Sequence, residues 1–110
     1  MNEIIVVFRR DRTGGCFALF PELPGDDQGF LCTAYAHVGE HCAADYDHCV
    51  SRSDPATPAE YADLFKELER RGYDLTVCRR ATPEMHERRF RLAAERRCRS
   101  SQERLQGART

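Results

Sequence analysis

No window of the chain approaches the roughly 18 consecutive apolar residues that a membrane-spanning helix requires, so no segment reads as one. An excess of one charge is missing too. Seventeen basic and eighteen acidic side chains leave a formal net charge of -1, which argues against a uniformly basic nucleic-acid domain. Lysine is nearly absent: Lys66 stands against sixteen arginines, a bias that we ascribe to genomic coding and not to chemistry. No Cys-x2-Cys knuckle and no nucleophile elbow occurs, and Thr13-Gly14-Gly15-Cys16 lacks the lysine and the spacing of a phosphate loop.

What is present fits one soluble domain. The chain has 110 residues, 41% hydrophobic and 32% charged, within the usual size of a single domain. Residues 1–98 are expected to form it, with 99–110 a frayed tail of little apolar content. At the N-terminus the acidic Glu3 comes first and the apolar run Ile4-Ile5-Val6-Val7-Phe8 is short. That is unlike a secretory signal, so a cytoplasmic protein with free thiols is the expectation. Of the six cysteines, Cys16, Cys32 and Cys78 lie in strand-like runs and read as small core residues.

The order of elements follows from local chemistry. Residues 3–9 and 16–20 read as a hairpin around Asp11-Arg12-Thr13-Gly14-Gly15. Residues 21–29, with Pro21 and Pro24, are expected to end the ladder as an exposed acidic loop, because proline lacks the donor. Residues 30–35 read as a third strand, and 37–50 as either a short helix or an irregular loop. Thr57, Pro58 and Glu60 spell a capping box with proline at the first helical position. Tyr61, Leu64, Phe65 and Leu68 then recur on one helical stripe, and Gly72 closes the helix. Residues 73–78 read as a fourth strand, and Thr82-Pro83 opens a helix to about Cys98. The expected fold is α+β: a mainly antiparallel sheet of about four strands, β-β-β-α-β-α, with one helix packed on it and a basic C-terminal helix.

Charge is segregated along the chain. Residues 22–63 hold nine acids and one base, a net of −8, whereas residues 79–110 hold ten arginines and four glutamates, a net of +6. Arg88, Arg89, Arg96 and Arg99 cluster around Leu92 on a helical wheel, as nucleic-acid contacts would. His86, Phe90, Ala93 and Ala94 make the expected core face. Against that stand the pairs Glu84–Arg88, Glu87–Arg91 and Glu95–Arg99, acid before base at i,i+4, which suit a merely solvated helix. The acidic middle, with Asp26 and Asp27, suits a basic partner face.

Cys32, His37, His41, Cys42, His48 and Cys49 fall close together. Cys32, His37, His41 and Cys42 are candidate zinc ligands, although no cofactor is the main expectation. The same thiols and imidazoles, oriented by Asp45, are candidates for a small thiol enzyme. Otherwise they are core cysteines and loop histidines. As a loop carries function more often than a packed element, Tyr35, His37, Gly39, His41, Asp45 and Tyr46 are candidate partner contacts, followed by Arg88, Arg89 and Arg96.

Two resemblances attach to these residues. Ala18-Leu19-Phe20-Pro21-Glu22-Leu23-Pro24, Cys32 with Tyr35, His37-Val38-Gly39-Glu40-His41, Ala43-Ala44-Asp45-Tyr46, Pro58-Ala59-Glu60-Tyr61-Ala62-Asp63-Leu64 and Gly72-Tyr73-Asp74-Leu75 resemble a family of small uncharacterised proteins. Bacterial genomes, their phages and mobile elements carry that family. It implies no activity, and Cys42 stands where it carries a small residue such as glycine or serine. Residues 4–29, with Gly14-Gly15, Phe20-Pro21-Glu22-Leu23-Pro24-Gly25 and Gln28-Gly29, are similar to the start of HicB-type antitoxins. That likeness implies a sheet with a helix packed on it and a toxin partner, but no evident DNA-binding segment follows. The expected function is a non-catalytic protein that binds another macromolecule, such as a phage or mobile-element inhibitor of a host nucleic-acid-targeting defence complex, anti-CRISPR-like. The alternatives are an antitoxin or regulator contacting a toxin and DNA, and a metal-site protein or thiol enzyme.

Overall fold

The computed structural model describes residues 3–36 and 40–108. Its elements are β1 (Glu3–Arg10), β2 (Cys16–Pro24), β3 (Cys32–Ala36), β4 (Glu40–Ala44), α1 (Tyr46–Ser51), β5 (Asp54–Pro55), α2 (Pro58–Arg70), β6 (Asp74–Val77) and α3 (Pro83–Ala108). They form an α+β fold around a six-stranded sheet of order β4-β3-β2-β1-β5, with β6 also on β1. β1 to β4 is an antiparallel meander, whereas β6 returns parallel to β1 after α2.

The β1–β2 turn is built around one carboxylate. Asp11 Oδ1 accepts from the Thr13 amide at 2.9 Å, the Thr13 hydroxyl at 2.6 Å and the Gly15 amide at 3.0 Å. These bonds, the hydroxyl's first, hold the Asp11 carboxyl below the usual carboxylate pKa. Gly14 takes φ +90, a backbone conformation that residues with a side chain rarely adopt.

Both faces of the sheet are covered. On one, Val6, Phe8, Ala18, Phe20 and Tyr35 pack beneath Leu64 and Leu68 of α2. Tyr61 stacks on Phe8 with ring centroids 4.2 Å apart. On the other, Val7, Leu19, Cys32 and Ala34 pack beneath Tyr46 of α1, and α3 lies over β2. The uninterrupted apolar run of β1 is the cause, since a strand covered on both sides needs no polar alternation. The expectation of one helix on the sheet is thus corrected to helices on both sides.

Other expectations also change. The expected α+β class and mainly antiparallel sheet hold, and the strands number six where about four were expected. Glu40-His41-Cys42-Ala43-Ala44 carries no apolar periodicity, yet it pairs residue for residue with β3 as β4. Proline does not stop β2: the strand bulges between Phe20 and Pro24 and resumes opposite Cys32, as a bulge tolerates a missing N–H. Pro21 and Pro24 are buried, so the proposed exposed loop begins as packed structure. α3 continues beyond Cys98 to Ala108. The capping box of α2 forms as expected, with Thr57 Oγ1 accepting from the Glu60 amide at 3.3 Å and Glu60 Oε1 from the Thr57 amide at 2.9 Å.

Candidate partner interface

The acidic and basic segments meet. The β2–β3 connection, residues 25–31, folds onto the first half of α3. Arg89 is the clamp: it is buried, Nε donates to the Gly29 carbonyl at 2.7 Å and Nη1 to the Pro21 carbonyl at 2.9 Å. Nη1 also donates to His86 Nδ1 at 2.7 Å. A guanidinium is always a donor, so His86 must be neutral with its proton on Nε2. Burial first, and the like charge of Arg89 second, push the His86 pKa below 6.5. At the rim Arg88 pairs with Glu22 at 3.0 Å, and Arg97 donates to the Asp27 carbonyl at 2.6 Å.

Glycine makes the close approach possible. Gly29 has φ +82, and a Cβ there would lie 3.0 Å from Ala93 Cβ. Asp26 shapes the same turn, its Oδ1 accepting from the Gly29 amide at 2.8 Å and the Leu31 amide at 3.2 Å.

This docking raises two aromatic rings into solvent. Phe30 is 67% exposed and Phe90 41%. They meet edge to face with centroids 5.9 Å apart, and the Arg89 guanidinium carbon lies 5.3 Å from the Phe90 ring centre. Alongside runs an open groove of about 930 Å³ between residues 24–28 and the Ala93, Arg96, Arg97, Ser100 and Ser101 side of α3. Beyond it the residues of α3 described to 102 are exposed.

The candidate loop residues divide. His37 and Gly39 lie outside the described residues. Tyr35 and Tyr46 are buried, so their rings face the core and present nothing to a partner. The Tyr46 hydroxyl accepts from the Ala81 amide at 2.7 Å, tying α1 to the start of α3. A hydrogen bond to the Glu67 carboxylate is the first cause of the raised pKa of Tyr35. Asp45 caps α1, accepting from the His48 amide at 3.2 Å. His41 is exposed, with Nε2 2.6 Å from the Tyr73 hydroxyl and its ring 4.8 Å from that of Tyr35. Arg88 and Arg96 are exposed, whereas Arg89 is internal and cannot reach a phosphate. Phe30, Tyr73 and Arg97 were not among the sequence candidates, and Phe90, expected on the core face of its helix, is instead 41% exposed because its ring turns toward the exposed Phe30. A phenylalanine within the charged run 84–91 was the available signal for Phe90.

Strand alternation divides the described members of the Cys/His cluster between the two sides of the sheet. Opposite Ala34, Cys42 belongs to the α1 side of the sheet with Cys32, while His41, opposite Tyr35, belongs to the α2 side. Among the described residues no three His, Cys, Asp or Glu side chains are grouped to hold a metal ion. Burial pushes the Cys32 thiol up to about 11 and raises Cys49 also, the opposite of what a thiolate nucleophile requires. No protein-family model, curated protein or solved structure matches the chain.

Proposed function

We propose that this chain is a non-catalytic binding protein whose partner is another protein, docked on the Phe30–Phe90 face and the adjoining length of α3. The observation that carries this reading is the exposed aromatic pair, backed by a buried arginine. Aromatic and arginine side chains dominate the energetic centres of protein interfaces. The Arg89 guanidinium carbon lies 5.3 Å from the Phe90 ring centre, and Arg89 bonds the Gly29 carbonyl next to Phe30; backbone fixed in this way leaves less freedom to lose on binding, which lowers the cost of association. The exposed residues of α3 interleave Glu84, Glu87 and Glu95 with Arg88, Arg91 and Arg99. Mixed signs suit a protein surface with complementary charges better than a uniform phosphate backbone.

The resemblance to small mobile-element proteins gives this reading its specific form, an inhibitor that occupies a surface of a host nucleic-acid-targeting complex. The test is capture of partners from host lysate by the tagged protein, with Phe30→Ser/Phe90→Ser in parallel. A defined partner retained by wild type and lost by the double variant is the expected result. Equal recovery by both, or only nucleic acid recovered in a nuclease-sensitive manner, contradicts it.

A further inference from the structure

A sheet edge is a row of open backbone donors and acceptors, and proteins normally blunt it with proline, lysine, bulges or very short strands. The two edges of this sheet differ. On the β1 side the edge is divided between β5, of two residues including Pro55, and β6, of four. On the other side β4 is the outermost of the described strands. It is five residues long, contains neither proline nor lysine, and pairs with β3 in unbroken register from Glu40 to Ala44. His41, Cys42 and Ala43 are all exposed. The strand is also held in place from the α2 side, through the 2.6 Å contact of His41 with the Tyr73 hydroxyl.

We propose that β4 is a pairing edge and that its occupant is a second copy of this chain, joined antiparallel about a two-fold axis at Cys42. The residues of β4 suit pairing with themselves. In that register Cys42 faces Cys42 of the second copy, His41 faces Ala43, and Glu40 faces Ala44. No like charges stand directly opposite, and the small side chains of Cys42, Ala43 and Ala44 allow the strands to approach. An extended strand of identical sequence satisfies the open backbone groups on both sides at once, as a two-fold interface requires. The two sheets become one continuous sheet. The pairing uses neither Phe30 nor Phe90, so it stands whether or not the partner-binding reading does.

Directly opposed residues in an antiparallel pair have Cα atoms about 4.5–5.5 Å apart, within the span that a disulfide bridges. The thiol therefore reports the register. The experiment uses the full chain with Cys98→Ser, because Cys98 is the other exposed cysteine. Mass is measured by light scattering from micromolar to near-millimolar concentration, and the protein is treated with diamide, which takes two electrons and two protons from a thiol pair. The expected results are a concentration-dependent dimer, a covalent dimer through Cys42, and its loss in Cys42→Ser. Ala43→Lys is expected to weaken dimerisation about tenfold or more with an unchanged circular dichroism spectrum. A monomer at every concentration overturns the proposal, as does a dimer that gives no Cys42 cross-link. If Ala43→Lys fails to fold, the cross-link on the Cys98→Ser chain decides alone.

Discussion

Arg89 shows how one residue's setting reverses its meaning. In the sequence it is one arginine among ten in a basic stretch; in the fold it is buried and donates to two carbonyls of the opposing segment. Arg89→Ala leaves those carbonyls unpaired, and each buried unsatisfied group costs about 1–3 kcal/mol. A loss of about 2–4 kcal/mol in urea unfolding is expected, against about 0.5 kcal/mol or less for the exposed Arg91→Ala. Its neighbour His86 supplies a pH dependence. Because the folded state holds His86 neutral and its pKa below 6.5, the unfolded chain binds the proton first. Stability from this group is complete above about pH 6.5 and is lost as pH falls toward the folded pKa. His86→Gln keeps an acceptor for Arg89 and does not titrate, so it should flatten the stability profile in that window. The thiols behave oppositely to catalytic ones. With Cys32 buried and its pKa at about 11, it should resist alkylation in the native protein at neutral pH, while the exposed Cys98 reacts readily. Rapid native alkylation of Cys32 contradicts this placement.

Among the elements, α2 was legible because its signals are local. The threonine cap, the proline, the glutamate and the apolar stripe all sit within twelve residues, and none depends on the rest of the chain. Thr57→Ala should cost about 0.5–2 kcal/mol, as removal of an N-cap does, measured by thermal unfolding; an unchanged midpoint contradicts the capping geometry. β4 and β5 were not legible, because their pairing comes from the edges offered by β3 and β1 and not from their own residues. The two-residue β5 is positioned from outside: Arg9 donates to the Val50 carbonyl and to Ser53 Oγ, both at 2.9 Å, fixing the segment between α1 and β5. The bulge that carries β2 past Pro21 was hidden for the same reason. At the candidate interface, the sequence marked the charged segments and missed the rings. Exposure of Phe30 depends on how residues 25–31 dock on α3, a tertiary fact with no local signature.

Over the whole molecule, the separation of −8 and +6 along the chain does not become two independent faces. Part of it is consumed internally, by Glu22 with Arg88 and by the docking of residues 21–29 on α3. What remains outside is a long, mixed-charge helix and an aromatic pair on a body of 54 × 28 × 24 Å. An exposed helix polar on all sides has little of the tertiary packing that usually stabilises helices. Backbone amides of residues 98–102, all exposed, should therefore exchange with solvent much faster than those of residues 85–93, and slow when a partner is bound. The proposed function is that the Phe30–Phe90 face and α3 receive a protein. It is tested most directly by quantitative partner capture with wild type, Phe30→Ser/Phe90→Ser and Arg91→Ala side by side, each first shown to be folded. One partner at constant stoichiometry is expected with wild type and Arg91→Ala, and its loss with the double phenylalanine variant. Identical recovery by all three would contradict it.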